Sequence, residues 1–243
     1  LIFVVHDSAG RPRLLRVVAV AQDAPTVLPA LDFLSSKALD CVVPLVEWRR
    51  VPGLTLILSD LKDRKSLREL VAEEELQPVE VASIMYQLTA CVARLNMLHL
   101  TVVGGLTPNT VYLTQEGTLR LLALPDSKYL IPAPSYSDPR LLDSPRVRRM
   151  MDTWTLGAMA HFLLFRRPPF EGQTFVQSVD SLNRFRFVAA HKAIPKSLFE
   201  FLESTLKFGF EDRERTPRLV ELLIHTLSTQ NEQVVTSGTF FNV

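Results

Sequence analysis

The chain has 243 residues, 47% of them hydrophobic, with 27 basic and 26 acidic side chains and a net charge of +1. That is enough apolar material for a large buried core, in one large domain or two lobes. The charge balance argues against a nucleic-acid or anionic-membrane surface, and there is no apolar run of the roughly 18 residues that a membrane span needs.

The first part reads as strands. Residues 1–5 and 14–20 are β-rich runs around the turn Asp7-Ser8-Ala9-Gly10-Arg11-Pro12. The first run has the pattern of a strand and not of a signal peptide. Residues 25–38 hold a short helical pattern, with Val27, Leu28, Leu31 and Leu34 at three- and four-residue steps. Residues 42–48 and 55–58 predict a second strand pair around Val51-Pro52-Gly53-Leu54. Polarity then rises through Ser59 to Lys65, which marks a lobe boundary near residue 60.

After that boundary the pattern turns helical. Residues 66–76 predict a short amphipathic helix, and residues 78–99 a long one with Val81, Ile84, Leu88, Val92 and Leu95 on one face. Pro78 suits a first helical turn. Two short strands are expected at 110–113 and 118–122, joined by Gln115-Glu116-Gly117. A proline-rich irregular stretch covers 124–145. Residues 152–165, 195–208 and 217–227 predict further helices, the first of them strongly apolar. The tail from 230 to 243 has no clear periodicity, and its Phe240-Phe241 pair reads as docking on its own domain or on a partner. Strands first and helices afterwards predict an α+β fold with two segregated parts.

Several chemistries find no motif. Cys41 and Cys91 sit in apolar contexts without metal spacing, and read as free thiols or a disulfide. His6, His99, His161, His191 and His225 are scattered over separate elements and make no metal motif. There is no G-x-S-x-G and no phosphate-binding G-x-x-x-x-G-K-[ST]. The basic run Arg146-Val147-Arg148-Arg149 reads as a solvated loop.

The string Asp152-Thr153-Trp154-Thr155-Leu156-Gly157, followed by Pro168-Pro169-Phe170, resembles the D-x-W-x-x-G helix and the following turn of a protein kinase C-lobe. Arg215 is similar to the late C-lobe arginine that pairs with the glutamate of A-P-E, although that motif reads Asp138-Pro139-Arg140 here. The resemblance implies a protein kinase-like bilobal fold: a β-rich N-lobe over 1–60, a helical C-lobe over 61–229 and a tail over 230–243. It names Asp152, Trp154, Gly157 and Arg215 as structural residues of that fold.

The resemblance also places the chemistry, and the matching positions are degenerate. The catalytic aspartate falls on Gly105, the following lysine on Thr107 and the metal-binding asparagine on Thr110. The D-F-G aspartate falls on Ala123. Asn109 lies one residue early, and Asp126 reads as a turn residue or a cation contact. The strand lysine falls on Arg16, with Asp32 as its expected helix partner; Arg differs from Lys in bulk and fork geometry. Ser127, Ser135, Tyr136 and Ser137 fall in the short activation segment, and nothing marks one as a phosphorylation site.

Phosphoryl transfer rests on positioned charge around a metal-bound nucleotide. The degenerate positions therefore lead to the expectation of a pseudokinase: no enzyme, no cofactor, no metal, and a cleft filled by Leu122 and Leu124. Its role would be a protein-interaction, scaffolding or regulatory module. The alternative is metal-independent ATP sensing, with Arg16 as the weak candidate for holding phosphates.

The strings at 152–157, Phe162-Leu163-Leu164, Lys192-Ala193-Ile194-Pro195-Lys196 and Phe208-Gly209-Phe210-Glu211-Asp212-Arg213 resemble the rhoptry kinase and pseudokinase family of apicomplexan parasites. This implies secretion by the parasite to the parasitophorous vacuole or its membrane, the cyst wall, the host cytosol or the rhoptry, with parasite or host proteins as partners.

Overall fold

The computed structural model describes residues 1–19, 27–37, 39–60, 64–98, 106–122, 135–138, 148–170, 194–206 and 216–237. It divides into two compact units, Leu1–Glu73 with Leu95–Ala133, and Glu74–Arg94 with Pro134–Val243.

The first unit is built on an antiparallel sheet of order β1-β2-β4-β3, from β1 (Ile2–His6), β2 (Pro12–Ala19), β3 (Leu45–Val51) and β4 (Leu54–Asp60). The alternation of the sequence fixes its faces. Leu14, Arg16 and Val18 of β2 are buried, and so are Thr55, Ile57 and Ser59 of β4. Register pairs Leu14 with Ser59, Arg16 with Ile57 and Val18 with Thr55, so these side chains share one face. Helix α1 (Val27–Ser36) packs Leu31 against Val18 and Ile57, with half-buried Trp48 and Leu45 at the edge.

Two turns shape this sheet. In the β1–β2 turn the Asp7 carboxylate accepts the backbone N–H groups of Ala9 and Arg11 and contacts the Arg11 and Arg13 guanidinium groups. The backbone N–H of Arg11 leads the causes that hold the Asp7 pKa below its usual range. At the β3–β4 turn Gly53 has φ of 76°, a left-handed conformation that favours glycine.

The third strand begins three residues later than the sequence predicts. Pro44 has no N–H to give a ladder, so β3 starts at Leu45. The segment before it turns to another partner: Val43 N–H donates to Leu121 O at 2.7 Å, and Leu121 N–H donates to Cys41 O at 2.8 Å. This joins the large sheet's connection to a second, smaller sheet of order β5-β6-β7, made of Arg64–Ser66, Val111–Thr114 and Leu119–Leu121. Strand β5 reads as polar connection in the sequence because its three residues, Arg-Lys-Ser, carry no apolar alternation. Its pairing with β6 holds it in place.

Helix α2 (Leu67–Glu73) follows β5 directly, started by a reciprocal cap. Ser66 N–H and Oγ both donate to Glu69 Oε2 at 2.7 Å, and Glu69 N–H donates to Ser66 Oγ at 3.2 Å. Replacing Ser66 with Ala is expected to cost about 1 kcal/mol, read as a lower urea midpoint with an unchanged slope.

Helix α3 (Pro78–Met97) has Pro78 in its first turn as expected, and Gln77 N–H donates to Glu80 Oε2 at 2.7 Å. Among the described residues of the second unit, α4 (Arg148–Phe165) carries the most continuous buried run, with Thr153 to Leu164 all buried. Trp154 stacks on Phe170 with centroids 5.4 Å apart and planes at 18°, so the two halves of the sequence motif meet. Leu206 completes that cluster. Helices α5 (Lys196–Thr205) and α6 (Thr216–Ser237) join through a buried hydroxyl pair, Ser197 Oγ to Thr226 Oγ1 at 2.6 Å.

Helix α6 runs into the tail that has no sequence periodicity. Between Pro217 and Gly238 there is no glycine or proline, so nothing interrupts the backbone ladder even where the apolar face ends. Among the described residues, no helix is long and apolar enough to cross a membrane.

Candidate functional site

The first unit contains a cavity of 580 Å³ between β1, β5–α2 and the turn Thr107–Thr110. One wall is apolar, with Leu1, Ile2, Phe3, Val4, Leu14 and Tyr112. The other is polar, with Arg64, Ser66, Arg68, Glu69, Thr107, Asn109 and Thr110.

The apolar wall is set by strand register. Thr110 ends the turn and Val111 starts β6, so Tyr112 falls on the face shared with Leu14. Tyr112, Leu14, Val43 and Leu122 form one buried cluster, with Ile2 against it. Leu122, expected from the sequence to fill the cleft, lies instead in the core behind the wall, and the cavity lined by Leu14 and Tyr112 stays open. Burial pushes the Tyr112 pKa up to about 12; the Glu69 charge adds to this and Arg16 opposes it. The phenol is neutral at physiological pH.

The polar wall is set by a hydrogen-bonded turn. Thr110 Oγ1 accepts Thr107 N–H at 2.9 Å and donates to Thr107 O at 3.0 Å. Leu122 N–H donates to Thr110 O at 2.8 Å, and Arg68 N–H donates to Pro108 O at 3.1 Å. The Thr110 hydroxyl therefore closes its own loop, which accounts for a threonine at this position. Asn109 is exposed and lines the cavity.

Arg16 is 7% exposed on β2, and burial lowers its pKa to about 10, with the nearby Tyr112 opposing that shift. It remains a cation at neutral pH, beside Tyr112 rather than among the residues described as lining the cavity. Its expected partner Asp32 is exposed on α1, and no ion pair joins the two. The reason is register: Leu31 takes the inward position of α1, which turns Asp32 outward.

Gly105, Ala123, Leu124, Asp126 and Arg215 lie outside the described residues, as does the side chain of Asp152. Among the described residues, no group of three or more His, Cys, Asp or Glu side chains could hold a metal ion. Cys41, half-buried, and Cys91, buried, are both thiols rather than halves of a disulfide. The sequence reading missed Tyr112, Arg64 and Arg68 as cavity residues. The Ser66-x-x-Glu69 capping signature was the available signal, because it fixes where α2 starts and hence where Arg68 stands.

No family model matches the chain. Among curated proteins it is similar to the G2-specific protein kinase nim-1 of Neurospora crassa, 24% identical over 148 residues, covering 54% of this chain and 17% of that protein. It is also similar to the G2-specific protein kinase nimA of Emericella nidulans, 23% identical over 137 residues, covering 53% and 19%. The chain thus spans less than a fifth of either relative. Among solved structures, Rad53 1-466 in complex with AMP-PNP matches with a TM-score of 0.70 and 14% identity, over 90% of this chain and 60% of that one.

These relatives overturn one expectation. The chain was expected to be no enzyme, and both curated relatives are named protein kinases. The expectation rested on single side chains at Gly105, Thr107, Thr110 and Ala123, whereas the similarity extends over more than half of the chain and points to the kinase enzymes. The α+β architecture expected from the sequence is the one observed, and the chain is protein kinase-like.

Proposed function

We propose that this chain is a protein kinase-type domain that holds a nucleotide in the Tyr112 cavity and works with protein partners. The observation that carries the reading is the two-sided lining of the cavity. Leu14, Ile2 and Tyr112 offer an apolar wall to a base, while Arg64, Arg68 and the Thr107–Thr110 turn offer cations and hydrogen-bonding groups to ribose and phosphate.

Two modes of use follow. The relatives' names bring protein phosphorylation to this chain as the corresponding activity. Metal-independent nucleotide sensing is favoured by the lining itself. A hard cation such as Mg²⁺ prefers carboxylate oxygens, and the Glu69 carboxylate is engaged by Ser66 in the cap of α2. Thr107, Asn109 and Thr110 bring neutral oxygens.

Thermal melting with ATP and ADP, in Mg²⁺ and then in EDTA, tests the proposal. Nucleotide at about 100 times Kd is expected to add about 2.7 kcal/mol of stability. A shift that survives EDTA supports sensing; phosphoryl transfer to a protein substrate in Mg²⁺ supports the relatives' activity. No shift in either condition contradicts the nucleotide reading.

The narrower rhoptry-type reading rests on the strings at 152–157 and 208–213. It carries secretion to a vacuole or cyst wall and partners there or in the host. Localising the tagged protein in its source organism tests it; retention in that organism's own cytosol would contradict it.

A further inference from the structure

We infer that Arg68 at the start of α2, and not the strand cation Arg16, reads the anionic end of the bound nucleotide; the ligand class is a nucleoside mono- or diphosphate held without a metal bridge. The inference rests on the nucleotide reading of the cavity and adds its polarity: base toward Tyr112 and Leu14, phosphate toward the β5–α2 segment.

Four observations converge on Arg68. It lines the cavity, and its side chain is exposed. Its backbone is fixed, because its N–H donates to Pro108 O at 3.1 Å and ties α2 to the Thr107–Thr110 turn. Among the described residues its guanidinium makes no hydrogen bond or ion pair, in contrast to the other cations of this region. Arg64 donates through Nη1 to Asp60 O, Lys65 pairs with Glu73, and Arg13 pairs with Asp7 and Asp60.

The neighbouring carboxylate does not cancel this site. Glu69 also lines the cavity, but one of its oxygens accepts both Ser66 N–H and Ser66 Oγ–H. With Arg64 and Arg68 against Glu69, the charged lining is net positive. A planar guanidinium on a fixed backbone, lining the same cavity as the neutral groups of Thr107 and Asn109, suits bidentate recognition of a phosphate.

Isothermal titration in EDTA at low salt tests the inference with adenosine, AMP and ADP on the whole chain. Wild-type protein is expected to bind ADP and AMP more tightly than adenosine. Arg68→Ala should weaken ADP by about tenfold or more, the size of a charge-assisted contact, with adenosine little changed. Arg68→Lys should restore part of the loss. Melting curves without ligand check that both variants fold.

If Arg68→Ala folds and binds ADP as the wild type does, the inference is overturned and the nucleotide reading stands. If wild-type protein binds none of the three at millimolar concentration, both fall. If free phosphate binds as tightly as AMP, the apolar wall has no part in recognition and the proposed polarity is wrong.

Discussion

Replacing Gly157 with Ala is expected to destabilise the protein by about 2–3 kcal/mol, at the upper end of ordinary overpacking costs. Gly157 lies in α4, where a Cβ would stand 2.3 Å from Thr205 Oγ1, 2.8 Å from Thr205 Cβ and 2.9 Å from Leu206 Cγ. None of these atoms is the far end of a flexible side chain. Thr205 is held by its own helix, since its hydroxyl donates to Phe201 O at 2.8 Å and to Leu202 O at 3.1 Å. The clash therefore has to be relieved by moving α4 and α5 apart, which opens the core around Trp154. Alanine's better helix propensity recovers only a fraction of the loss, at most about 1 kcal/mol. For a chain of this length the melting temperature should fall by roughly 5–10 °C. Combining Gly157→Ala with Thr205→Ala removes the nearest atom and should return part of the loss. Strict additivity of the two changes would contradict the contact.

The second large effect is a pH dependence centred on His161. This ring is 8% exposed on α4, its Nδ1–H donates to Arg167 O at 3.0 Å, and the Phe165 ring lies 4.6 Å away. Burial lowers its pKa from 6.5 to about 4; the bond to Arg167 O opposes the shift and the Arg167 charge adds to it. The unfolded chain therefore takes up a proton on this side chain between pH 6.5 and 4, and the folded chain does not. The contribution is fully present above pH 6.5 and falls as the pH is lowered toward 4. Its full size is on the order of 3 kcal/mol, with about 2 kcal/mol lost between pH 7 and pH 5. Urea unfolding at both pH values, compared with His161→Gln, isolates this share from that of the carboxylates. The variant should show a smaller difference in stability between the two pH values. An equal difference in both proteins would mean that His161 does not titrate in this window.

Much of the fold was legible in the residues because its elements are locally consistent. Alternating apolar residues marked β2 and β4, Pro78 and the recurring Val81, Ile84 and Leu88 marked α3, and Trp154, Gly157 and Phe170 marked the centre of the second unit. The elements that escaped are those whose order comes from partners far along the chain. Strand β5 is charged and exists through its ladder with β6. Pro44 delays β3 and hands the preceding residues to Leu121. The site was less legible for the same reason. Tyr112 becomes a cavity wall only when β6 is placed against Leu14, and Arg68 becomes a cavity cation only when α2 is tied to Pro108. The burial of Arg16 beside Tyr112 is likewise set by the pairing of distant strands, and the local sequence does not announce it.

The most direct measurement is a crystal structure of the chain grown with ADP in EDTA. The base is expected between Ile2, Leu14 and Tyr112, with the phosphates at Arg68 and no metal between them. A fully occupied nucleotide whose phosphates lie at Arg16, or crystals in which the Tyr112 cavity takes no ligand at saturating ADP, would contradict the account.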